Sequence, residues 1–182
     1  GAGGAAPGGG GGGLAAGPSA AAAGARVVAV DVSPGALELA RRFGAAECVD
    51  ASAAADPAEA VRDLTGGGAH LSLDALGAPA PCAASVNGLR RRGRHVQVGL
   101  LPSPTGTTPV PMARAIALEL ELLGSHGMAA HSYPPMLELV RAGALRPDLL
   151  VTATIGLDAA PAALAAMGTA PGAGVTVVEP WS

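Results

Sequence analysis

The sequence predicts an α/β fold built on a doubly wound parallel sheet, and three observations support this class. Short apolar segments rich in β-branched residues alternate with amphipathic segments over residues 26–123. Ser33–Pro34 and Asp56–Pro57 each place a capping side chain before a first-turn proline, as at the start of a helix. Glycines follow these segments, where helices commonly end. Such alternation is typical of βαβ units, whose strands are parallel.

Each element has a local reason in the sequence. Residues 26–31, RVVAVD, form a β-branched run that predicts a buried strand, and apolar residues recur at helical spacing over 35–43. Glycines at 66–68 and a proline-rich stretch at 101–111 separate later elements. The remaining strands are expected at 48–50, 70–76, 95–100 and 119–123, and the remaining helices at 57–64, 81–89 and 112–118.

The pattern changes at two places. Four arginines are expected at the solvated C-terminal end of the helix predicted at 81–89, where the helix dipole favours cations: Arg90, Arg91, Arg92 and Arg94. After Gly124 the regular alternation stops, which predicts a tail in a different layer. That tail is expected to contain a helix at 134–142, a strand at 150–154, a helix at 159–167 and a strand at 175–179.

Composition excludes several functions. The net charge is −3, and the chain has one Phe, one Tyr and one Trp, which disfavours nucleic acid and an anionic membrane as partners. No apolar run approaches the ~18 residues of a membrane span. All eleven basic residues are arginine, so the chain lacks the lysine of a Walker A loop, of a Schiff base or of a Tyr–Lys reductase pair with Tyr133.

Cysteine and histidine usage predicts no metal site and no disulfide framework. Cys48 and Cys82 are isolated, and His70, His95, His126 and His131 show no ligand spacing. A reduced, cytoplasmic setting is expected, without a signal peptide. The chain starts at Gly1, not methionine, which suggests a fragment. A serine hydrolase is excluded because no GxSxG motif is present.

The most informative residue is Asp31, which ends the first clear strand about 20 residues after a glycine run. In a Rossmann-type sheet an acid there hydrogen-bonds the adenosine ribose and repels a 2′-phosphate, which favours NAD. Alternatively, Asp31 only begins a turn. Gly8, Gly10, Gly11 and Gly13 fit the spacing GxGGxG, which lets a pyrophosphate approach the backbone.

The flanks of the glycine run disagree with a phosphate-binding loop. Residues 1–7 contain no β-branched residue, although a strand should precede the motif. Gly17 and Pro18 fall in the middle of the helix that should follow, and an internal proline costs about 3 kcal/mol. Six consecutive glycines also match any glycine motif. We therefore expect residues 1–25 to be a degraded or missing first βα unit.

Other residues at predicted strand ends have two interpretations. Val98, Gly99 and Leu100 end a strand at the edge where open α/β sheets bind ligands, although glycine also ends ordinary strands. His126 is expected to be a loop residue. His70 and His95 are expected near strand starts, away from the ligand edge, in structural roles.

Together these residues resemble the second half of a zinc-type medium-chain alcohol dehydrogenase. The resemblance runs in order from about residue 8 to residue 180 and is carried by GARVVAVDVSPGALELARRFGAAECVD, DLTGGGAHLSLDALG, GRHVQVGL, ELLGSHG and GVTVVEP. It implies a six-stranded Rossmann sheet with NAD as cofactor. It also implies that the tail belongs to a GroES-like catalytic domain, so the domains are expected at 1–25, 26–126 and 127–182.

The resemblance implies a role for each candidate site residue. The glycines Gly8, Gly10, Gly11 and Gly13 would hold the pyrophosphate, and Asp31 would hold the ribose. Backbone near the following residues would face the cofactor, the last at the nicotinamide carboxamide: Leu76, Gly77, Val98, Gly99, Leu100 and Ser125. The family's zinc ligands and proton relay lie upstream of its glycine motif and have no counterpart here, so no catalytic or metal residue is predicted. The family's basic residue after the acid is replaced by Ala36.

The predicted function is therefore part of an NAD(H)-dependent alcohol dehydrogenase that supplies cofactor binding and is inactive alone. The partner would be a small alcohol or aldehyde, and two copies would pair through the edge strand at about 119–123. Three alternatives stay open: a non-catalytic nucleotide-binding domain, a methyltransferase-type Rossmann domain, and a zinc-less quinone reductase, which usually prefers NADPH.

Overall fold

A six-stranded parallel sheet in the order β3-β2-β1-β4-β5-β6 forms the centre of the computed structural model, which describes residues 3–7, 11–167 and 174–181. The strands are β1 (Gly3–Pro7), β2 (Arg26–Asp31), β3 (Glu47–Asp50), β4 (Ala69–Asp74), β5 (Leu89–Gln97) and β6 (Glu121–Gly124). This order is the doubly wound Rossmann arrangement, which confirms the predicted fold class.

Helices cover the sheet and occur in chain order between its strands. They are α1 (Gly11–Ala22), α2 (Pro34–Arg42), α3 (Pro57–Leu64), α4 (Pro79–Asn87) and α5 (Met112–Leu118). The side chains of Ser33 and Asp56 accept hydrogen bonds from Ala36 N and Ala58 N, which confirms both predicted helix caps. Helix α1 contacts α2, and α3 contacts α4, as expected for two helical layers joined by right-handed crossovers.

The expectation that the first βα unit is missing is wrong. Strand β1 pairs in parallel with β2 from Gly3↔Arg26 to Pro7↔Val30, and it pairs with β4 on its other side. A central strand satisfies its backbone hydrogen bonds through both neighbours, so small residues are sufficient there. Helix α1 continues through Pro18 because its alanines are the strongest helix formers and it contacts β1, β2 and β4.

Two predictions for β5 also need correction. Arg90, Arg91, Arg92 and Arg94 lie on this strand, not at a helix end, because α4 already stops at Asn87. Three of them are paired with acids: Arg91 and Arg92 with Glu119, and Arg94 with Glu121. His95 lies near the end of β5 and not near its start, although it is buried as expected of a structural residue.

The tail forms separate elements after the six-stranded sheet, as the change of pattern predicts. It contains α6 (Tyr133–Arg141), β7 (Val151–Gly156), α7 (Ala160–Ala166) and β8 (Val175–Glu179), and β7 and β8 pair in parallel as a second sheet. Within the described part of these four elements, no residue is buried. Their apolar side chains therefore add little to the core.

A hydrophobic cluster lies between the sheet and helix α3. Leu89 is 0% exposed and packs in this cluster with Val28, Val49, Val61 and Ala69. The adjacent residues Val27 and Val28 are both buried, so both faces of β2 are covered, as expected for a doubly wound sheet.

Replacing Leu89 with alanine is expected to lower the free energy of unfolding by about 2–5 kcal/mol, because the truncation leaves a cavity in closely packed surroundings. Urea denaturation followed by circular dichroism measures this change. The matched control is Leu164→Ala in α7, where the side chain is 68% exposed; we expect less than about 0.5 kcal/mol there. Equal losses in the two variants would contradict the assignment of the core.

Candidate functional site

The carboxyl ends of the six parallel strands meet at one edge of the sheet, where three consecutive strands end in aspartate. Asp31 ends β2, Asp50 ends β3 and Asp74 ends β4. Each carboxylate accepts a hydrogen bond from the backbone N–H two residues further on, at 2.8, 2.8 and 2.9 Å respectively. Aspartate at a strand end stabilises the turn in this way. The edge is therefore both acidic and tightly organised.

Asp31 lies beside the point where β1 leads into α1. Its neighbour Val30 pairs with Pro7, the last residue of β1, and Asp31 itself pairs with Asp50. Asp31 Oδ1 accepts the Ser33 N–H, and the described residues supply no partner for Oδ2. One carboxylate oxygen is thus held by the turn, and no residue in the described part of the chain hydrogen-bonds the other.

Two of the four predicted glycines of the phosphate loop lie in the described part of the chain. Gly11 and Gly13 are in the first turn of α1, the helix that follows β1 in the chain, whereas Gly8 and Gly10 lie outside the described residues. The first N–H groups of a helix have no partner within the helix and attract anions. A strand therefore precedes the glycine run and a helix begins at Gly11, although the sequence pattern indicates neither element.

Gly77 and Gly99 bring the ends of β4 and β5 into backbone contact. Gly77 has φ +77°, and a Cβ on it would lie 1.9 Å from the Leu100 carbonyl oxygen. A Cβ on Gly99 would lie 2.4 Å from the Gly77 nitrogen. Only glycine fits either position, because the added carbon would overlap backbone atoms that cannot rotate away.

The remaining predicted residues surround this contact. Leu76, Val98 and Leu100 are exposed apolar side chains at the same edge, with Leu100 79% exposed. The backbone N–H of Ser125 donates to the Gln97 carbonyl at 2.9 Å, so the start of the β6 loop joins them. The structure therefore gathers the predicted residues after β4, β5 and β6 into one apolar surface.

A buried polar network beneath that surface was missed by sequence analysis. Asp74 is 0% exposed, and its Oδ2 accepts a hydrogen bond from Gln97 Nε2 at 2.8 Å. Gln97 Oε1 lies 3.1 Å from His95 Nε2, and His95 Nδ1 lies 3.1 Å from the hydroxyls of both Ser72 and Ser85. The available signal was the repeated polar pair at alternate positions of two strands, Ser-x-Asp and His-x-Gln.

Stability is expected to depend on pH through His95. Burial lowers the pKa of His95, with smaller opposing effects from Gln97 and Asp74, while in the unfolded chain it titrates near 6.5. The unfolded chain therefore binds more protons as the pH falls below about 6.5, and the unfolding free energy decreases by up to about 1.4 kcal/mol per pH unit until the folded-state pKa is passed.

The measurement is urea denaturation at about pH 7.5 and at about pH 5.5, with His95→Asn as a non-titrating control. The carboxylates of Asp50 and Asp148 have lowered pKa values, so the stability that they contribute is lost only below about pH 4. We expect a smaller decrease in the variant than in the parent chain. The same decrease in both would show that His95 does not cause it.

Other chemistry-bearing side chains are not brought together. Burial raises the pKa of the Cys48 and Cys82 thiols, which disfavours the reactive thiolate. Within residues 3–7, 11–167 and 174–181, no three His, Cys, Asp or Glu side chains approach closely enough to hold a metal ion. No helix in the same ranges has the length and apolar character needed to cross a membrane.

Comparison with known proteins identifies the family. The profile of the zinc-binding dehydrogenases matches residues 11–142. The chain is 32% identical to the erythritol/L-threitol dehydrogenase of Mycolicibacterium smegmatis over 70% of its own length and 34% of that protein. It is 30% identical to a probable D-xylulose reductase A of Aspergillus niger over 74% of its length and 38% of the relative.

Solved structures give the same result. The alcohol dehydrogenase of Aeropyrum pernix superposes with a TM-score of 0.85 at 31% identity, covering 99% of this chain and 50% of that one. The 2R,3R-butanediol dehydrogenase of Bacillus subtilis gives 0.88 at 26% identity, with coverage of 99% and 51%. The chain thus spans about a third of these curated relatives and about half of these structures. It belongs to the zinc-binding dehydrogenases, the zinc-type medium-chain alcohol dehydrogenase family, and corresponds to their C-terminal half.

Proposed function

We propose that this chain is the cofactor-binding part of an NAD(H)-dependent alcohol dehydrogenase, an oxidoreductase that transfers hydride between an alcohol and nicotinamide. The observation that carries the proposal is the position of Asp31. Its carboxylate ends β2 beside the β1–α1 connection and keeps Oδ2 without a partner among the described residues. An acid at this place of a Rossmann sheet selects a ribose with free hydroxyls.

The residues of the edge fit the parts of a dinucleotide. Asp31 Oδ2 would accept the adenosine ribose hydroxyls, and its charge would repel a 2′-phosphate. The N-terminus of α1, with Gly11 and Gly13, would bind the pyrophosphate through backbone N–H groups. The apolar surface at Leu76, Val98 and Leu100 would take the nicotinamide end.

The backbone around Ser125 would orient the carboxamide of the same ring. When bound, the nicotinamide supplies the hydride acceptor or donor, and this chain supplies orientation and exclusion of water.

Zinc does not fit the described residues, because they contain no cluster of three ligand side chains. We propose that the complete protein holds any zinc, and the proton relay, outside this chain. The chain alone is then inactive, with its tail from residue 127 contributing to the catalytic domain.

The substrate is proposed to be a small alcohol or aldehyde, since the names of the relatives above refer to polyols, a ketose and a diol. Two copies are proposed to pair through β6, which forms one edge of the six-stranded sheet. An unpaired edge strand with apolar side chains readily accepts a second strand.

The proposal is tested by thermal unfolding of the purified chain with NAD⁺, NADPH or S-adenosylmethionine. A ligand at 100 times its Kd stabilises the folded state by about 2.7 kcal/mol. We expect stabilisation by NAD⁺ that the other two ligands do not match. Preference for NADPH would favour the quinone reductase alternative, and preference for S-adenosylmethionine would favour the methyltransferase alternative. No stabilisation by any of them would overturn the proposal.

A further inference from the structure

We propose that Gln97 is a positioning residue for the nicotinamide half of the dinucleotide, because its carboxamide holds the segments after β4 and β5 in one arrangement. This inference rests on the proposed function and goes beyond it by assigning a role to a side chain that would not itself touch the cofactor. The residues concerned are Gln97, Asp74 and His95.

Gln97 lies where three segments of the ligand edge meet. Its backbone carbonyl accepts the Ser125 N–H at 2.9 Å, which fixes the start of the segment after β6. Its side-chain Nε2 donates to Asp74 Oδ2 and to the Gly99 carbonyl, both at 2.8 Å. One residue therefore contacts the end of β4 and the segments after β5 and β6.

Asp74 is the matching residue on the neighbouring strand. It pairs directly with Gln97 in the β4–β5 register. Its Oδ1 accepts the N–H groups of Leu76 and Gly77 at 2.9 and 3.1 Å, and its carbonyl accepts those of Val98 and Gly99, both at 2.9 Å. Five of the residues predicted to face the cofactor thus depend on one cross-strand pair, buried Asp74 and half-buried Gln97, or adjoin it: Leu76, Gly77, Val98, Gly99 and Leu100.

The direction of the carboxamide is fixed by its partners. The Gly99 carbonyl can only accept, so the nitrogen of Gln97 must face it, and Oε1 must face His95. His95 Nε2 then carries the proton, and the single lone pair of Nδ1 accepts from the hydroxyl of Ser72 or of Ser85, both 3.1 Å away. His95 is 3% exposed and Ser72 is 1% exposed, so water does not compete with this arrangement.

An apolar side chain of the same size cannot perform this role. Without the carboxamide, Asp74 Oδ2 and the Gly99 carbonyl lose their shared donor, and the two segments can separate. The surface at Leu76, Val98 and Leu100 would then lose its preformed shape, whereas Asp31 and the start of α1 would be unaffected. Binding of the adenosine half and binding of the nicotinamide half should therefore respond differently.

The test compares dissociation constants for NADH and for ADP-ribose, which lacks the nicotinamide, in the 182-residue chain and in Gln97→Met. Fluorescence of the reduced nicotinamide reports NADH, and displacement reports ADP-ribose. We expect Gln97→Met to weaken NADH by about tenfold, the equivalent of one or two hydrogen bonds, and to leave ADP-ribose unchanged. The emission of bound NADH should also fall, because the ring is held less rigidly.

The matched control is Thr65→Val, another isosteric loss of a side chain that hydrogen-bonds a loop. Thr65 Oγ1 accepts the Gly68 N–H at 3.1 Å after α3, on the N-terminal side of β4, opposite the ligand edge. This variant should keep both affinities. If Gln97→Met does not fold, Asp74→Asn carries the test: its amide nitrogen would oppose Gln97 Nε2 while its oxygen still serves the turn. Asp74→Asn should also weaken NADH binding and leave ADP-ribose binding unchanged.

Three outcomes overturn the inference. Unchanged NADH affinity in a folded variant, or equal weakening of NADH and ADP-ribose, would leave Gln97 with a structural role only, while the proposed function stands. Failure of the parent chain to bind NADH would overturn the proposed function and this inference together. Weaker binding of NADH with unchanged binding of ADP-ribose supports both the proposed function and this inference.

Discussion

Replacing Gly77 with alanine is expected to lower the free energy of unfolding by more than about 3 kcal/mol and to abolish NADH binding. The backbone at Gly77 has φ +77°, a region that costs a residue with a Cβ about 1–2 kcal/mol. The new Cβ would also lie 1.9 Å from the Leu100 carbonyl oxygen, so the segments after β4 and β5 must separate. Urea denaturation and NADH fluorescence measure the two effects.

Gly106→Ala is the matched control for this prediction. Gly106 has φ +69°, but a Cβ there would meet nothing within 4 Å. An alanine at this position would have the unfavourable backbone conformation but no overlap with other atoms. We therefore expect the free energy of unfolding to fall by about 1–2 kcal/mol, with NADH binding retained. Equal stability losses at Gly77 and Gly106 would show that the contact between the two segments contributes nothing.

Replacing Asp31 with asparagine is expected to weaken NADH binding by about 10- to 100-fold, which corresponds to hydrogen bonds that involve a charged group. The amide oxygen can still accept the Ser33 N–H, so the turn is kept. The lost charge should also reduce the repulsion of a 2′-phosphate. The ratio of the NADPH and NADH dissociation constants, measured by fluorescence titration, should therefore fall toward one.

Asp50→Asn provides the control for Asp31. Asp50 pairs with Asp31 in the sheet and forms the same turn, with the Ser52 N–H at 2.8 Å from Oδ1. It lies one strand further from β1. We expect this variant to keep both the NADH affinity and the preference over NADPH. A loss of preference in both variants would mean that general negative charge at the edge, and not Asp31, excludes the phosphate.

The sequence predicts those elements of the fold whose local signals are independent of neighbouring elements. The β-branched run of β2 and the capped prolines at the starts of α2 and α3 require no knowledge of the rest of the chain. Strand β1 lacked such a signal. Its backbone pairs with strands on both sides, so the glycines and alanines there are tolerated because of tertiary context.

The prediction of a helix end at the start of β5 is wrong for a related reason. Leu89, Gly93 and His95 are buried, whereas the arginines between them are exposed. Three consecutive exposed arginines interrupt the alternation of a strand, and glycine and histidine at the inward positions conceal the rest of it. Four basic residues after a predicted helix were therefore interpreted as a helix end.

Some residues of the candidate site can likewise be proposed from the sequence alone, and others cannot. Asp31 and the glycines at strand ends could be proposed from position alone, and their role in binding stays a prediction. The pair of Asp74 and Gln97 could not be proposed, because it depends on which strands are neighbours and on their register. Buried hydrogen-bond networks between non-adjacent parts of a chain leave only a faint pattern in the sequence.

The most direct test of cofactor binding is a fluorescence titration of the purified chain with NADH, with NADPH as the control ligand. We predict saturable NADH binding that NADPH does not match, because the N-terminus of α1 would bind the pyrophosphate and Asp31 would select the unmodified ribose. Absence of saturable binding in a chain that circular dichroism shows to be folded would contradict it. Equal affinity for the two dinucleotides would contradict the role of Asp31.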